Sequence, residues 1–283
     1  MAVLSLATLK RRAGNRRRVT RLRPIKPSLR DRRALQALLM EMVEEVYGHA
    51  QELLAALPKD YTADAPADDL KRILEMIRMR RRALAVRIEA RLEQWGKAAE
   101  ASHRAKWVST VQSATGVNLD TILQPGRAEK TVRAVVTRAA SLISDIGAEA
   151  QKRIADITLA AVTERKPPRE VAKEIIEVEA MSRRRAVNIA ADQANKLNAA
   201  LDRARQEEAG IEHFTWRHSG KANPRIEHLE RDGEIFPWDT DEIEPGDFPG
   251  EPPFCGCVAQ ATIIDEGGTA TETEEEIEFE DAA

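Results

Sequence analysis

The stretch "RARQEEAGIEHFTWRH", Arg203 to His218, contains the change of period that decides the fold. Up to Ala209 the chain reads as a helix that starts at an N-cap Ser182, and Gly210 stands where a C′ glycine ends one. From Ile211 to His218 apolar and polar residues alternate as in a half-buried strand. Asp232 and Gly233 then mark a turn before "EIFPW", and "GCVAQATII" offers another strand rich in β-branched residues. The part after Gly210 is therefore expected to be a small α+β unit of about fifty residues, too small to hold much core of its own.

Towards the N-terminus the helical period takes over. Leu35, Leu38, Leu39, Met42, Val43 and Val46 form one apolar stripe, which predicts a helix from near Leu29 that stops before Pro58. "PKDYTADAPADD" reads as a linker, with Pro66, Asp68 and Asp69 suited to the next helix start. A second stripe runs from Leu70 through Ile73, Leu74, Ile77, Leu84, Ile88 and Leu92 to Trp95. Its other faces carry Arg78, Arg80, Arg81, Arg82, Arg87 and Arg91, as an ordinary solvated helix face would. After "ATGVNLDTILQPGR" a third long helix follows, with Val132, Val135, Val136, Ala139, Leu142, Ile143, Ile146, Ala150, Ile154, Ile157 and Ala161 on its buried face. "ERKPPRE" ends that helix and opens a short one over Arg169 to Glu179.

Composition agrees with long helices, because aromatic residues are only 4% of the chain while charged residues reach 32%. No apolar run approaches the roughly 18 to 20 residues of a membrane span. The Arg-rich start places its apolar residues before its cations, the reverse of a secretory signal, and a cytosolic product is expected. Two cysteines one residue apart suit a reducing compartment.

The ends of the chain are oppositely charged. Twelve basic residues lie between Lys10 and Arg33 against the single acid Asp31, and nine acids with no base lie between Asp265 and Asp281. Both blocks repel themselves, so disordered charged tails are expected at either end. The resulting organisation is mainly α: a basic flexible arm over 1–28, a helical body over 29–167, helices and the small α+β unit over 168–264, and an acidic tail over 265–283. Lys10, Arg11, Arg12, Arg16, Arg17, Arg18, Arg21 and Arg23 are the candidate contacts to double-stranded DNA. With no aromatic residue among them, binding there would be independent of sequence and strongly salt-dependent.

Cys255 and Cys257 can offer two soft ligands from one tight turn. His218 or His228 could add nitrogen donors to complete a structural zinc site that helps a small unit fold. The alternative use of the same inventory is a metal-dependent hydrolase built on His228, Asp232, Cys255 and Cys257. The sequence holds no nucleophile elbow, phosphate-cradling glycine loop or HExxH helix to support it. A freestanding DNA-binding helical protein is a further alternative.

From an arginine-led helix with Ile189 and Ala190 onward, an ordered set of residues resembles the phage Mu F-like minor head proteins, the head morphogenesis proteins of tailed bacteriophages. The set continues through Trp216, Arg225, His228, Gly233, Pro252 and Pro253 to Cys255 and Cys257, within roughly residues 168 to 260. The resemblance implies a non-enzymatic virion protein, made in the host cytoplasm and placed at the portal or the capsid interior. Its implied partners are the portal protein and the major capsid or scaffold protein, with packaged DNA nearby and roles in packaging or ejection. The chain carries no histidine shortly before Cys255, so the resemblance implies the shape of a metal knuckle more firmly than its ion.

Overall fold

The computed structural model describes residues 6–15, 17–57, 67–119 and 125–265. Its elements in chain order are α1 (Leu6–Arg12), β1 (Val19–Arg21), α2 (Leu29–Tyr47), α3 (Ala50–Ala56), α4 (Ala67–Thr115), α5 (Pro125–Glu164), α6 (Pro168–Glu208), β2 (His213–Arg217), α7 (Ile226–Glu230), β3 (Ile235–Pro237) and β4 (Val258–Ile264). The mainly α architecture with a small sheet near its C-terminal side is as the periodicity predicts. The linker residues 58–66, Arg16 and the acidic residues beyond Asp265 lie outside the described residues.

α2 begins at Leu29, as expected and ahead of its apolar stripe, because the Ser28 hydroxyl accepts hydrogen bonds from the N–H groups of Arg30 and Asp31. It stops early, at Gly48, and a separate short helix, α3, covers the rest of the expected span. α4 has 49 residues and is on the order of 70 Å long. α4, α5 and α6 cannot bury so much length within themselves and pack side by side with α2. The core between them holds Leu35, Leu39, Met42, Ile77, Leu92, Ile143, Ile154 and Leu201. Close approach is built in at Gly96 of α4, where a Cβ would stand 2.7 Å from side-chain carbons of both Val132 and Val136 on α5.

α6 is a single helix of 41 residues, which differs from the two helices expected there. Nothing between Glu179 and Ser182 breaks the backbone ladder, and Ser182 is mid-helix, its hydroxyl 3.0 Å from that of Tyr47 on α2. The same helix buries Val171 and Ile175 against the bundle and carries Gln206 to the sheet, so packing runs without a break through residue 168. It ends at Gly210, φ 64°, with the Ile211 N–H closing back onto the Gln206 carbonyl as a Schellman turn does.

β2, β3 and β4 are the three expected strands, but the sheet has four, in the order β1-β4-β2-β3, with antiparallel pairing throughout. For the described residues between Leu6 and Ser28, the extra strand corrects the reading of 1–28 as a free arm. Val19 pairs with Ile264 and Arg21 with Thr262, and the Leu6 N–H bonds the Ala209 carbonyl at 3.0 Å. The physical reason is a set of apolar anchors among the cations: Leu6, Leu22 and Ile25 enter a second core with Trp107, Val111, Leu119, Ile211 and Ile263. Lys10, expected to face a polyanion, is buried instead, its ammonium bonded to the Arg17 carbonyl and the Thr20 hydroxyl. Burial pushes its pKa below the usual lysine value, outweighing the attraction of Asp265.

Candidate metal centre

A third core lies on the same face of the sheet as the second, towards β2 and β3, with Phe214, Trp216, Phe236, Ile243, Phe248, Cys255 and Cys257. α7 closes over it. Ile226 and Leu229 of this one-turn helix face out, which turns His228 inward to 2% exposure. The His228 ring meets the edge of the Trp216 indole, with centroids 4.9 Å apart, and its Nδ1 lies 3.6 Å from the sulfur of Cys255 and 3.6 Å from that of Cys257. These are the three residues whose donor atoms gather closely enough to hold a metal ion among the described residues.

The tautomer follows from the other ring nitrogen. Nε2 lies 3.0 Å from Asp247 Oδ1, and a carboxylate there needs a donor, so the proton sits on Nε2 and the Nδ1 lone pair faces the sulfurs. Arg231 donates to the second Asp247 oxygen at 2.7 Å. Partial burial pushes the Asp247 carboxyl up, but the hydrogen bonds from Arg231 and His228 together outweigh it and hold the pKa below the usual carboxylate value. A carboxylate that orients a histidine towards a metal position is the usual outer support of zinc sites.

The sulfurs are also supplied with donors. Cys255 accepts from the Cys257 thiol and from the backbone N–H groups of Cys257 and Gly250, which lower its pKa to about 5, while Cys257, left holding the shared proton, is pushed up. The Ser219 N–H favours a thiolate at Cys257, and the Trp216 indole N–H adds to this. That indole nitrogen is buried with no partner in hydrogen-bond geometry, so its help is a long-range one, and a metal-bound thiolate is the acceptor best placed to use it.

The donor set passes a simple geometric test for zinc. With Zn–N near 2.0 to 2.1 Å and Zn–S near 2.3 Å, tetrahedral coordination puts nitrogen and sulfur about 3.5 Å apart. Both observed separations are 3.6 Å.

α6 holds the cysteine turn in place. Asp192 accepts the Phe254 N–H at 2.6 Å, Asn195 donates to the Cys255 carbonyl at 3.2 Å and Lys196 donates to the Pro252 carbonyl at 3.2 Å. Phe254 is left-handed, φ 58°, and this anchored N–H is what holds an unfavourable conformation between Pro253 and Cys255. Gly250, φ 84°, lies so close to α6 that a Cβ would come within 2.5 Å of that of Ala199.

The other residues singled out by sequence take supporting places. Arg225 donates to the Pro253 carbonyl at 3.1 Å, tying α7 to the cysteine turn. Gly233, φ 89°, forms the turn that returns the chain to β3, its N–H bonded to the Trp216 carbonyl. His218 is not part of the cluster: its Nδ1 accepts the Gly220 N–H and its own N–H is bonded to Asp232. Asp232, named with His228 in the hydrolase alternative, is thereby committed elsewhere, and Asp247 occupies the position beside His228. Sequence reasoning did not single out Asp247, Asp192, Asn195 or Lys196. The last three share one face of α6 at i, i+3 and i+4, a signal that becomes legible only once the helix is known to be continuous.

Residues 151–260 match the family model described as "Phage Mu protein F like protein". This segment of the chain is similar to the Mu F-like family. It runs from within α5 through the whole of the metal cluster and into β4. Over 168 residues, 59% of this chain, the sequence is also 31% identical to an uncharacterized protein of Haemophilus influenzae, and the match spans 37% of that protein's length. No solved structure matches the chain. Among the described residues no helix is long and apolar enough to cross a membrane.

Proposed function

We propose that the protein is a structural component of a tailed bacteriophage head, acting in head assembly around the portal and located in the virion. The observation that carries this reading is the Mu F-like match over residues 151–260. The segment it covers is built as a docking unit: a small sheet with its own aromatic core, tied to a long helical bundle by polar contacts from α6. The partners that fit are the portal protein and the major capsid or scaffold protein. Double-stranded DNA, bound without regard to sequence, fits the exposed arginines Arg11, Arg12, Arg17, Arg18, Arg21 and Arg23.

Within this reading His228, Cys255 and Cys257 hold a structural zinc ion, whose chemical contribution is a cross-link between α7 and the entry to β4. Three protein donors leave a fourth position for water or a side chain from outside the described residues. No catalytic step is assigned. Asp247 keeps the His228 proton on Nε2, and the N–H groups of Gly250 and Ser219 stabilise the thiolates.

Deleting the gene from its phage and examining the particles by electron microscopy tests the reading. Aberrant, portal-deficient or empty heads are expected, with plaque formation restored by the wild-type gene in trans. A deletion phage with normal heads and normal titre overturns it.

A further inference from the structure

Folding of the N-terminal segment turns a run of arginines into a fixed strip. α1 and β1 are stapled together by the buried Lys10, and the segment continues along the sheet, where Gln260 donates to the Leu22 carbonyl at 2.8 Å. Thr20 and Leu22 point inward while Arg17, Val19, Arg21 and Arg23 are exposed, the alternation of a strand, which spaces successive outward positions about 7 Å apart. β1 is an edge strand. Arg11 and Arg12 are exposed in the last turn of α1, which the Lys10–Thr20 hydrogen bond ties to β1. Among the described residues no carboxylate forms an ion pair with Arg12, Arg17, Arg18, Arg21 or Arg23.

β4 delivers the acidic end of the chain to this strip. The Asp265 N–H bonds the Arg18 carbonyl at 2.7 Å, and its carboxylate lies 3.5 Å from the Arg11 guanidinium, so the first acid of the run is already seated among these arginines. The next sixteen residues contain eight more acids and no base: Glu266, Glu272, Glu274, Glu275, Glu276, Glu278, Glu280 and Asp281. They can span up to roughly 55 Å, whereas Arg17 to Arg23 covers about 20 Å along a strand.

We propose that residues 266–281 dock on the arginine strip of the same chain, through Arg11, Arg12, Arg17, Arg18, Arg21 and Arg23, and compete there with polyanions. Tethered directly beside its target, the segment acts at an effective concentration on the order of millimolar, so carboxylates too weak to bind in trans occupy the strip in cis. The docking stands on its own geometry; its consequence for nucleic acid rests on the DNA reading proposed above. Nucleic acid, with its denser charge, displaces the segment, and salt weakens both contacts.

The experiment uses the full chain with Glu272, Glu274, Glu275, Glu276, Glu278 and Glu280 all changed to Gln, which removes charge and leaves length and fold alone. Amide spectra of wild type and variant are compared, and affinity for a DNA duplex of about 20 base pairs is read by anisotropy, both at about 50 mM and about 500 mM salt. Docking predicts amide shifts at Arg11 to Arg23 at low salt that collapse at high salt, and DNA binding at least about tenfold tighter in the variant at low salt only. Unchanged amides with unchanged DNA affinity overturn the docking and leave the DNA reading standing. Shifted amides with no DNA binding by either protein support the docking and overturn the DNA reading. Unchanged amides with no DNA binding overturn both.

Discussion

Gly250→Ala is a sensitive probe of how the cysteine turn sits on α6. Two costs can be worked out separately. The residue has φ 84°, a conformation that a side chain makes unfavourable by about 1 to 2 kcal/mol. A Cβ would also lie 2.5 Å from the Ala199 Cβ, far inside contact distance, and overpacking of this kind costs about 1 to 3 kcal/mol. Their sum is about 2 to 5 kcal/mol, a large share of the stability of an ordinary domain. The two parts separate in a double-mutant cycle, because Ala199→Gly on α6 removes the clash and leaves the backbone cost in place. On its own Ala199→Gly loses about 1 kcal/mol as a glycine inside a helix. In the Gly250→Ala background the relieved clash of about 1 to 3 kcal/mol is offset by that loss, so the net gain expected is about 0 to 2 kcal/mol and the coupling energy of the cycle about 1 to 3 kcal/mol. Chemical denaturation followed by the fluorescence of Trp216 and Trp238, both in or against the third core, is the assay. A Gly250→Ala loss under about 0.5 kcal/mol, or strict additivity of the two changes, would refute the packing described.

Three further outcomes follow from the same geometry. Gln206→Leu strands the Ala259 carbonyl and the Trp238 indole N–H, which Gln206 now serves at 2.8 Å and 3.2 Å, and is expected to lose about 2 to 4 kcal/mol on denaturation. Asp202 is buried against His103 and Asn198, and burial holds its pKa above the usual carboxylate value despite the hydrogen bonds it accepts from both. The folded state therefore binds this proton more tightly than the unfolded chain, so stability from this group is present at acid pH and falls as pH rises from about 4 through the elevated folded value. In an Asp202→Asn variant that falling component should be missing from the stability-pH curve, and a difference curve flat across the window would count against the assignment. Protein purified without chelator should carry about one zinc per chain by elemental analysis, falling to near zero in a Cys255→Ser/Cys257→Ser double variant; equal metal in both excludes the cluster as the site.

The long helices were legible because the stripes in α2, α4 and α5 persist over many turns, and Gly116, Pro168 and Gly210 punctuate them chemically. β2, β3 and β4 were legible for the complementary reason, a period of two between turn residues. What escaped was decided by tertiary contacts. Charge summed over residues 1–28 hides Leu6, Leu22 and Ile25, three anchors spaced too irregularly to show a period, yet sufficient to seat β1 on the sheet. Lys10 looked like one more cation because only the folded segment encloses it. At the metal cluster His228, Cys255 and Cys257 were readable as residue types, since few other combinations serve a soft metal, but the choice between His218 and His228 was not. Both flank the same turn. The single turn of α7 and the carboxylate of Asp247, brought in from a loop, select His228.

The role in head assembly is tested most directly by asking where the protein ends up. Quantitative mass spectrometry of purified, DNA-filled particles of the phage that encodes it should find intact peptides from α4, α5 and α6 at a few copies per virion, far below the major capsid protein. Complete absence of the chain from such particles, with the portal protein detected at its normal abundance, would contradict the account.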